Sequence, residues 1–186
     1  TVPARHAAIT YHAMNLKERR MWKRIRKPLM AIAAVLLVAF IAIQFVPVDR
    51  SNPPVTMEAP ASPEVLAVLR QSCYDCHSNQ VRWPWYSYVA PVSWLVAKDV
   101  REGRRELNFS IWDQYSPRKR ARKIEESLEL AEKGEMPLPI YLISHADARL
   151  TSEDLNILRA WVQATAAAAE ATPAPAPAPQ PDADHD

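Results

Sequence analysis

Two cysteines and a histidine stand together in residues 72–85, which read SCYDCHSNQVRWPW. Cys73 and Cys76 are the only cysteines of the chain, and His77 follows the second one directly. The pattern Cys-x-x-Cys-His is the attachment signature of c-type haem. Two thiols one helical turn apart match the two vinyl groups on one edge of a porphyrin, and the next imidazole then lies beneath the iron. We therefore expect Cys73 and Cys76 to bind haem c covalently and His77 to be the proximal ligand.

Three other uses of this pattern stay open from the residues alone. A Cys-x-x-Cys dithiol for disulfide exchange normally lies at a strand-to-helix junction, and no βαβ pattern is visible here. A structural zinc site needs four ligands, and His145 is the one obvious spare donor beyond the motif. A simple buried disulfide is the third. The preceding apolar segment, the helical pattern and the aromatic residues after the motif favour haem.

A second axial ligand has two candidates in the predicted domain. Met136 is its only methionine, in a loop that opens with Gly134 and a Met-Pro pair. His145, in the same loop, is its only other histidine. Because Met/His is the usual ligation of cytochromes c, we predict Met136 as the distal ligand, with His145 as the alternative.

Four helical segments would position these residues. They open at Ser62-Pro63, near Ser93, at Ser116-Pro117 and at Thr151. Serine or threonine caps a helix at its start, and proline suits the first turn. Apolar residues recur at helical spacing, and no stretch alternates as a strand does. The sequence therefore predicts an all-α fold, a small cytochrome c-like helical domain.

An apolar segment precedes this domain. Residues 29–46 contain no charge and one polar side chain, Gln44, and as a helix they would span about 27 Å. Residues 17–27 carry seven cations and one anion, and the positive-inside rule places that end in the cytoplasm. We expect a single-pass anchor in the bacterial inner membrane with the C-terminal domain in the periplasm. A cleaved signal peptide and a buried core helix are the alternatives.

Composition divides the chain into five parts. They are a basic cytoplasmic N-terminus at 1–28, the transmembrane anchor at 29–46, a Pro-rich linker at 47–61, a haem c-binding domain at 62–165 and a disordered Ala/Pro tail at 166–186. Met14 and Met21 could each start the native chain, which would leave residues 1–13 outside it. The net charge is only +2 and its excess comes from the N-terminus, so we expect no nucleic-acid partner.

The motif and two later stretches resemble a known family. The stretches are WPWYSYVAPVSWLVAKDVREGRRELNFS and GEMPLPIYLISHADARLTSEDLNILRAW. They are similar to the haem-binding domain proteins, relatives of cytochrome c in bacterial envelopes, over about residues 50–163. The resemblance implies covalent haem c through Cys73 and Cys76, with His77 as proximal and Met136 as distal ligand. The chain departs from class I cytochrome c because its first domain helix has no glycine to cross the last one.

These observations predict a membrane-anchored monohaem c-type cytochrome domain that passes single electrons to a redox partner protein. Two filled axial positions would leave no site for a substrate, so an electron carrier is expected rather than an enzyme. A haem-based sensor or a peroxidase-like enzyme with a displaceable distal ligand is the alternative. Candidates to pair with haem propionates are Arg82, Arg101, Arg104 and Arg105. The basic run at residues 118–123 could dock an acidic partner, but we favour a solvated helix face, because the acidic residues that follow supply i, i+4 partners.

Overall fold

A computed structural model describes residues 16–171. Within them the chain separates into two compact units, one ending at Pro47 and the other beginning at Val48. The N-terminal residues 1–13 and residues 172–186 of the predicted tail lie outside the described part.

The first unit contains one long helix, α1, Leu16–Ile43. Its part from Arg20 to Ile43 is 24 residues long and includes an 18-residue stretch with a mean hydropathy of 2.1, which is long and apolar enough to cross a membrane. A helix therefore forms where the sequence predicts a spanning segment. It ends at Ile43 rather than at Val46.

The second unit is a helical domain. Its helices are α2 (Pro63–Ser72), α3 (Tyr74–His77), α4 (Val92–Glu106), α5 (Pro117–Glu132), α6 (Pro139–Leu142) and α7 (Ser152–Glu170). Short 3₁₀ helices lie between them at Trp85–Tyr88, Trp112–Gln114 and Ala146–Ala148. Across residues 16–171 there is no strand, only an isolated bridge between Met57 and Ile111. The predicted all-α class is confirmed.

Side-chain caps explain where three of these helices begin. The side chains of Ser62, Ser116 and Thr151 accept hydrogen bonds from backbone N–H groups in the first turns of α2, α5 and α7. Asp154 completes a capping box because its carboxylate accepts the N–H of Thr151 at 2.8 Å. After α5, Gly134 has a φ of +71°, a left-handed conformation that glycine adopts without strain. The first residues of α2, α5 and α7 and the end of α5 therefore agree with the predicted helices.

The core lies where α5, α7 and α2 meet the segment between α4 and α5. Phe109 and Trp112 of that segment are 1% and 2% exposed. Both rings contact Trp161 of α7 at centroid distances of 6.4 Å. The aliphatic side chains packed with them are Val65, Val68, Leu69, Ile124 and Leu158. Large aromatic rings supply much of the buried area of a small domain. Phe109 and Trp161 also line the cavity described below.

Residues 47–61, predicted as a linker, pack in part onto the domain. The N–H of Thr56 donates to the carbonyl oxygen of Ser110 at 3.0 Å, and that of Ala59 donates to Phe109 at 2.9 Å. The side chain of Ala59 is buried. A Pro-rich composition is typical of a spacer. It gives no sign that backbone groups of this segment hydrogen-bond to residues about fifty positions later in the chain.

The last helix also extends beyond its predicted boundary. α7 continues to Glu170, so residues 166–170, assigned from the sequence to the tail, are helical. Alanine has the highest helix propensity of all residues, and the run after Thr165 is mostly alanine.

Candidate functional site

The cysteine motif forms one helical turn directly after α2. Cys73 caps the end of α2, and the N–H groups of Cys76 and His77 donate to its carbonyl oxygen at 3.1 and 2.9 Å. This turn places the side chains of all three residues on the wall of one cavity. The backbone therefore forms the single helical turn that the Cys-x-x-Cys-His spacing predicts.

The cavity has a volume of about 890 Å³. Met136 and His145 line it together with the motif, so all five residues predicted to hold haem or its iron border the same space. Pockets for single organic ligands range from about 300 to 1,000 Å³, and this one lies at the large end. Its lining is mainly apolar and includes Leu69, Val81, Val100, Phe109, Leu158 and Trp161.

His77 has the tautomer and the charge state that metal ligation needs. Its Nδ1 lies 3.0 Å from the carbonyl oxygen of Leu107. A carbonyl only accepts, so Nδ1 carries the proton and Nε2 keeps its lone pair. Burial lowers the pKa of His77 below its ordinary value, although the bond to Leu107 opposes the shift. The imidazole is therefore neutral at pH 7.

The two thiols are half-buried and not joined to each other. Burial, with the neighbouring Cys76, raises the pKa of Cys73 to about 12. Burial and the charges of Asp99 and Asp75 raise the pKa of Cys76 to about 11. Both groups are protonated at neutral pH. A protonated thiol is a poor nucleophile, so this environment does not favour disulfide exchange.

A buried polar network fixes the backbone behind His77. The N–H of Phe109 donates to the carbonyl oxygen of His77 at 2.8 Å. Asn108 Nδ2 donates to Asn79 Oδ1 at 2.8 Å, and the N–H of Asn79 donates to Ser110 Oγ at 2.9 Å. A fully bonded buried network favours one arrangement of the chain. Sequence reasoning missed these residues because an Asn-Phe-Ser string in a loop has no periodicity to read.

Gly103 is a second site residue that the sequence analysis did not single out. It lies inside α4, where the helix passes the motif. A β-carbon at this position would lie 2.7 Å from the carbonyl oxygen of Cys76, closer than real contacts allow. Only glycine lets α4 approach the motif so closely. The available signal was that the chain has just two glycines and one of them lies within a predicted helix.

His145 is held by two tyrosines. Its ring stacks on Tyr141 at a centroid distance of 4.0 Å and an interplanar angle of 9°. Its Nδ1 lies 3.2 Å from the carbonyl oxygen of Tyr141, so Nδ1 is the protonated nitrogen in that contact. The hydroxyl of Tyr86 lies 3.4 Å from Nδ1 and 3.5 Å from Nε2. His145 thus has a fixed orientation within the cavity wall.

Met136 lies where α5 turns into the loop. Its N–H donates to the carbonyl oxygen of Leu130 at 3.2 Å, and that of Glu135 donates to the same oxygen at 2.9 Å. These bonds follow the left-handed turn at Gly134 and end the helix. The half-buried Met136 side chain then borders the cavity.

A comparison with protein families shows which kind of domain contains this site. Residues 38–164 match the model of the haem-binding domain. The chain belongs to the haem-binding domain family. No curated protein and no solved structure matches it. The matched range includes the motif, the loop with Met136 and His145, and the packed part of residues 47–61.

The lining of this haem-binding domain fits a porphyrin. Apolar walls suit its faces, and the nitrogen and sulfur donors suit its iron. Ser72, next to the motif, lines the cavity with a buried hydroxyl that has no hydrogen-bond partner in the protein. Among residues 16–171, no group of three or more His, Cys, Asp or Glu side chains is arranged to hold a bare metal ion. The donor set therefore suits haem better than zinc.

The arginines predicted for haem propionates have different positions in the haem-binding domain. Arg104 does not line the cavity, and its guanidinium donates to the carbonyl oxygens of Ser78 and Ser51 at 2.8 and 3.0 Å. Arg82 and Arg105 do line the cavity. Arg104 therefore ties the motif to the preceding segment. Arg82 pairs with Asp75 at 3.4 Å and Arg105 with Glu106 at 3.5 Å, so each lines the cavity already engaged with a carboxylate.

Proposed function

We propose that the domain is a monohaem c-type cytochrome that transfers single electrons. Cys73 and Cys76 would hold the haem covalently, with His77 as proximal ligand and Met136 as distal ligand. One observation carries the proposal. A single large cavity is bordered by both thiols, by a neutral imidazole whose Nδ1 is bonded to Leu107, and by a thioether.

The protonated thiols suit covalent attachment. Each would add its S–H across one vinyl group, the sulfur bonding to one carbon and the hydrogen to the other, so the addition consumes no oxidant. The motif turn fixes the separation of the two sulfur atoms through its backbone bonds to Cys73. Gly103 keeps that turn in close contact with α4.

Axial ligation supports electron transfer. When bound, haem supplies one-electron chemistry at its iron. His77 lies on the motif, and both Met136 and His145 come from the loop between α5 and α7, so the chain has a donor for each axial position. Thioether ligation raises the reduction potential relative to two imidazoles. The mainly apolar walls would limit the solvent rearrangement that accompanies a change of charge on the iron.

A sensor or peroxidase-like enzyme is the second candidate. The observation that favours it is a polar group of side chains in the cavity wall, in which Tyr86 and Tyr141 flank His145. Such a group could donate or accept protons beside a displaceable ligand. Carbon monoxide distinguishes the candidates. Prompt binding to the reduced protein at neutral pH supports the second, and an unchanged spectrum supports electron transfer.

Helix α1 is proposed to anchor the domain in the bacterial inner membrane. The support is its length, its hydropathy and the basic residues before its apolar part. The positive-inside rule then assigns the domain to the periplasm, where haem c is attached.

Full-length protein should stay in membranes after alkaline carbonate extraction. External protease should degrade the domain in spheroplasts. Release by carbonate would contradict the anchor, and protection from protease would contradict the orientation.

A further inference from the structure

The loop from Gly134 to Thr151 carries both candidate distal ligands, and residues near the motif hold it in place. Gln71 Nε2 donates to the carbonyl oxygen of Asp147. Tyr86 contacts His145 through its hydroxyl, and the hydroxyl of Tyr141 donates to Asp75 Oδ2 at 3.0 Å. Of these contacts, the bond from Tyr141 is the one that reaches a residue of the motif itself, Asp75.

Asp75 lies between the two cysteines, so its position moves with the attachment site. Its side chain is only 15% exposed. Arg82 stabilises the carboxylate with a guanidinium contact at 3.4 Å and a backbone N–H bond at 3.2 Å. A carboxylate oxygen only accepts, so the hydroxyl of Tyr141 is the donor of this bond. A hydrogen bond to an ionised acceptor in a partly buried position is among the stronger kinds.

We propose that Tyr141 is a positioning residue, and that its bond to Asp75 fastens the distal-ligand loop to the haem-attachment turn. This inference rests on the proposed haem c site. Tyr141 lies between Met136 and His145 in the chain, so one bond restrains both flanks of the loop. A restrained loop presents its donor at a higher effective concentration than a free one. The bond thereby favours the protein's own ligand over small ligands from solution.

The test measures how readily added imidazole displaces the distal ligand from the ferric protein. Tyr141→Phe keeps the ring that stacks on His145 and removes only the hydroxyl. Asp75→Ala removes the acceptor and serves as an independent second variant. Tyr88→Phe is the matched control, since Tyr88 is 58% exposed and does not line the cavity. Full-length protein is used throughout, and a haemochrome spectrum verifies covalent haem in each sample.

We expect Tyr141→Phe and Asp75→Ala each to bind imidazole roughly tenfold more tightly, given the usual strength of a bond to a charged group. The double variant should show no increase beyond Asp75→Ala, because that change has already removed the only bond that Tyr141→Phe removes. Tyr88→Phe should match the wild type. An unchanged affinity in both single variants, or effects that multiply in the double variant, would overturn the proposal. If wild-type protein lacks covalent haem, the haem c site itself fails and the positioning role fails with it.

Discussion

Single residues decide whether the cavity can hold an iron porphyrin. His77 is neutral, and its protonated Nδ1 is engaged by Leu107, so Nε2 is the nitrogen that can ligate. Met136 and His145 both border the same cavity. Spectra of single variants can separate their roles.

Met136→Ala should keep covalent haem and lose the axial thioether. In ferric protein the near-infrared charge-transfer band of thioether ligation should disappear, and the reduced variant should bind carbon monoxide. His145→Ala should leave both properties unchanged. If His145→Ala alters the low-spin spectrum while Met136→Ala does not, the distal ligand is His145.

Gly103→Ala should weaken the haem site through a steric clash. The added methyl group would clash with the carbonyl oxygen of Cys76. This oxygen is a backbone atom, so the clash can be relieved only by moving the motif turn or α4. Overpacking of this kind costs about 1–3 kcal/mol. We expect a lower urea midpoint and less covalent haem per polypeptide.

Gly134→Ala is the control for that change. A β-carbon there would meet no atom within 4 Å, but φ is +71°. The left-handed backbone costs about 1–2 kcal/mol with a side chain. Stability should therefore fall while the haem spectrum stays constant. A Gly103→Ala protein with wild-type haem content would show that the close approach of α4 is not needed for attachment.

At the scale of elements, the segment before α2 belongs to the domain through a charged contact. Glu58 pairs with Arg70 of α2 at 2.9 Å and accepts a bond from Tyr74 at 3.1 Å. Burial opposes the charge of Glu58, but these bonds outweigh it and its pKa lies below the ordinary 4.5. The carboxylate therefore adds stability when it is ionised.

Replacing Glu58 with glutamine should make stability less dependent on acid pH. The lowered pKa means that the stabilising contribution is complete well above pH 4.5 and is lost as pH falls through the folded-state value. The pair is partly exposed, so the difference should be below about 1 kcal/mol. Urea unfolding of wild type and Glu58→Gln at pH 7 and pH 3 tests this. If the free energies of unfolding of the two proteins differ by the same amount at both pH values, the ionised Glu58 carboxylate does not stabilise the domain.

Local sequence patterns predict where the helices begin, but they do not predict which distant residues the connecting segments pack against. Ser62, Ser116 and Thr151 act on neighbouring N–H groups, so the sequence alone predicts where α2, α5 and α7 begin. The bonds of Thr56 and Ala59 reach residues far along the chain, and no local pattern encodes them. This is why a segment that packs onto the domain looked like a linker.

The candidate site was predictable to a similar degree. The motif at Cys73–His77 is local and gave three of its residues directly. Met136 followed by elimination, because it is the only methionine of the predicted domain. Gly103 and the network around Asn108 could not be predicted, since their roles depend on which backbone passes the motif in three dimensions.

At the scale of the whole molecule, the cavity makes the ligand part of the core. A space of about 890 Å³ lies between the helices, next to Phe109 and Trp161. Side chains around such a space lack packing partners unless the ligand fills it. The family relationship identifies the ligand as haem.

The double variant Cys73→Ser, Cys76→Ser should therefore be less stable than the wild type as well as free of covalent haem. We expect a lower thermal midpoint and faster proteolysis of the domain. The reason is that noncovalent haem can leave, and the emptied cavity then loses its contacts. A compact double variant with the wild-type midpoint would show that the domain does not depend on its cofactor.

The most direct test of the covalent haem site is acidified acetone extraction of protein made in cells that mature cytochromes c. We predict that the pigment stays with the polypeptide, that its pyridine haemochrome is that of haem c, and that the amount is one haem per chain. Pigment that passes into the acetone, or protein without Soret absorption, would contradict attachment through Cys73 and Cys76.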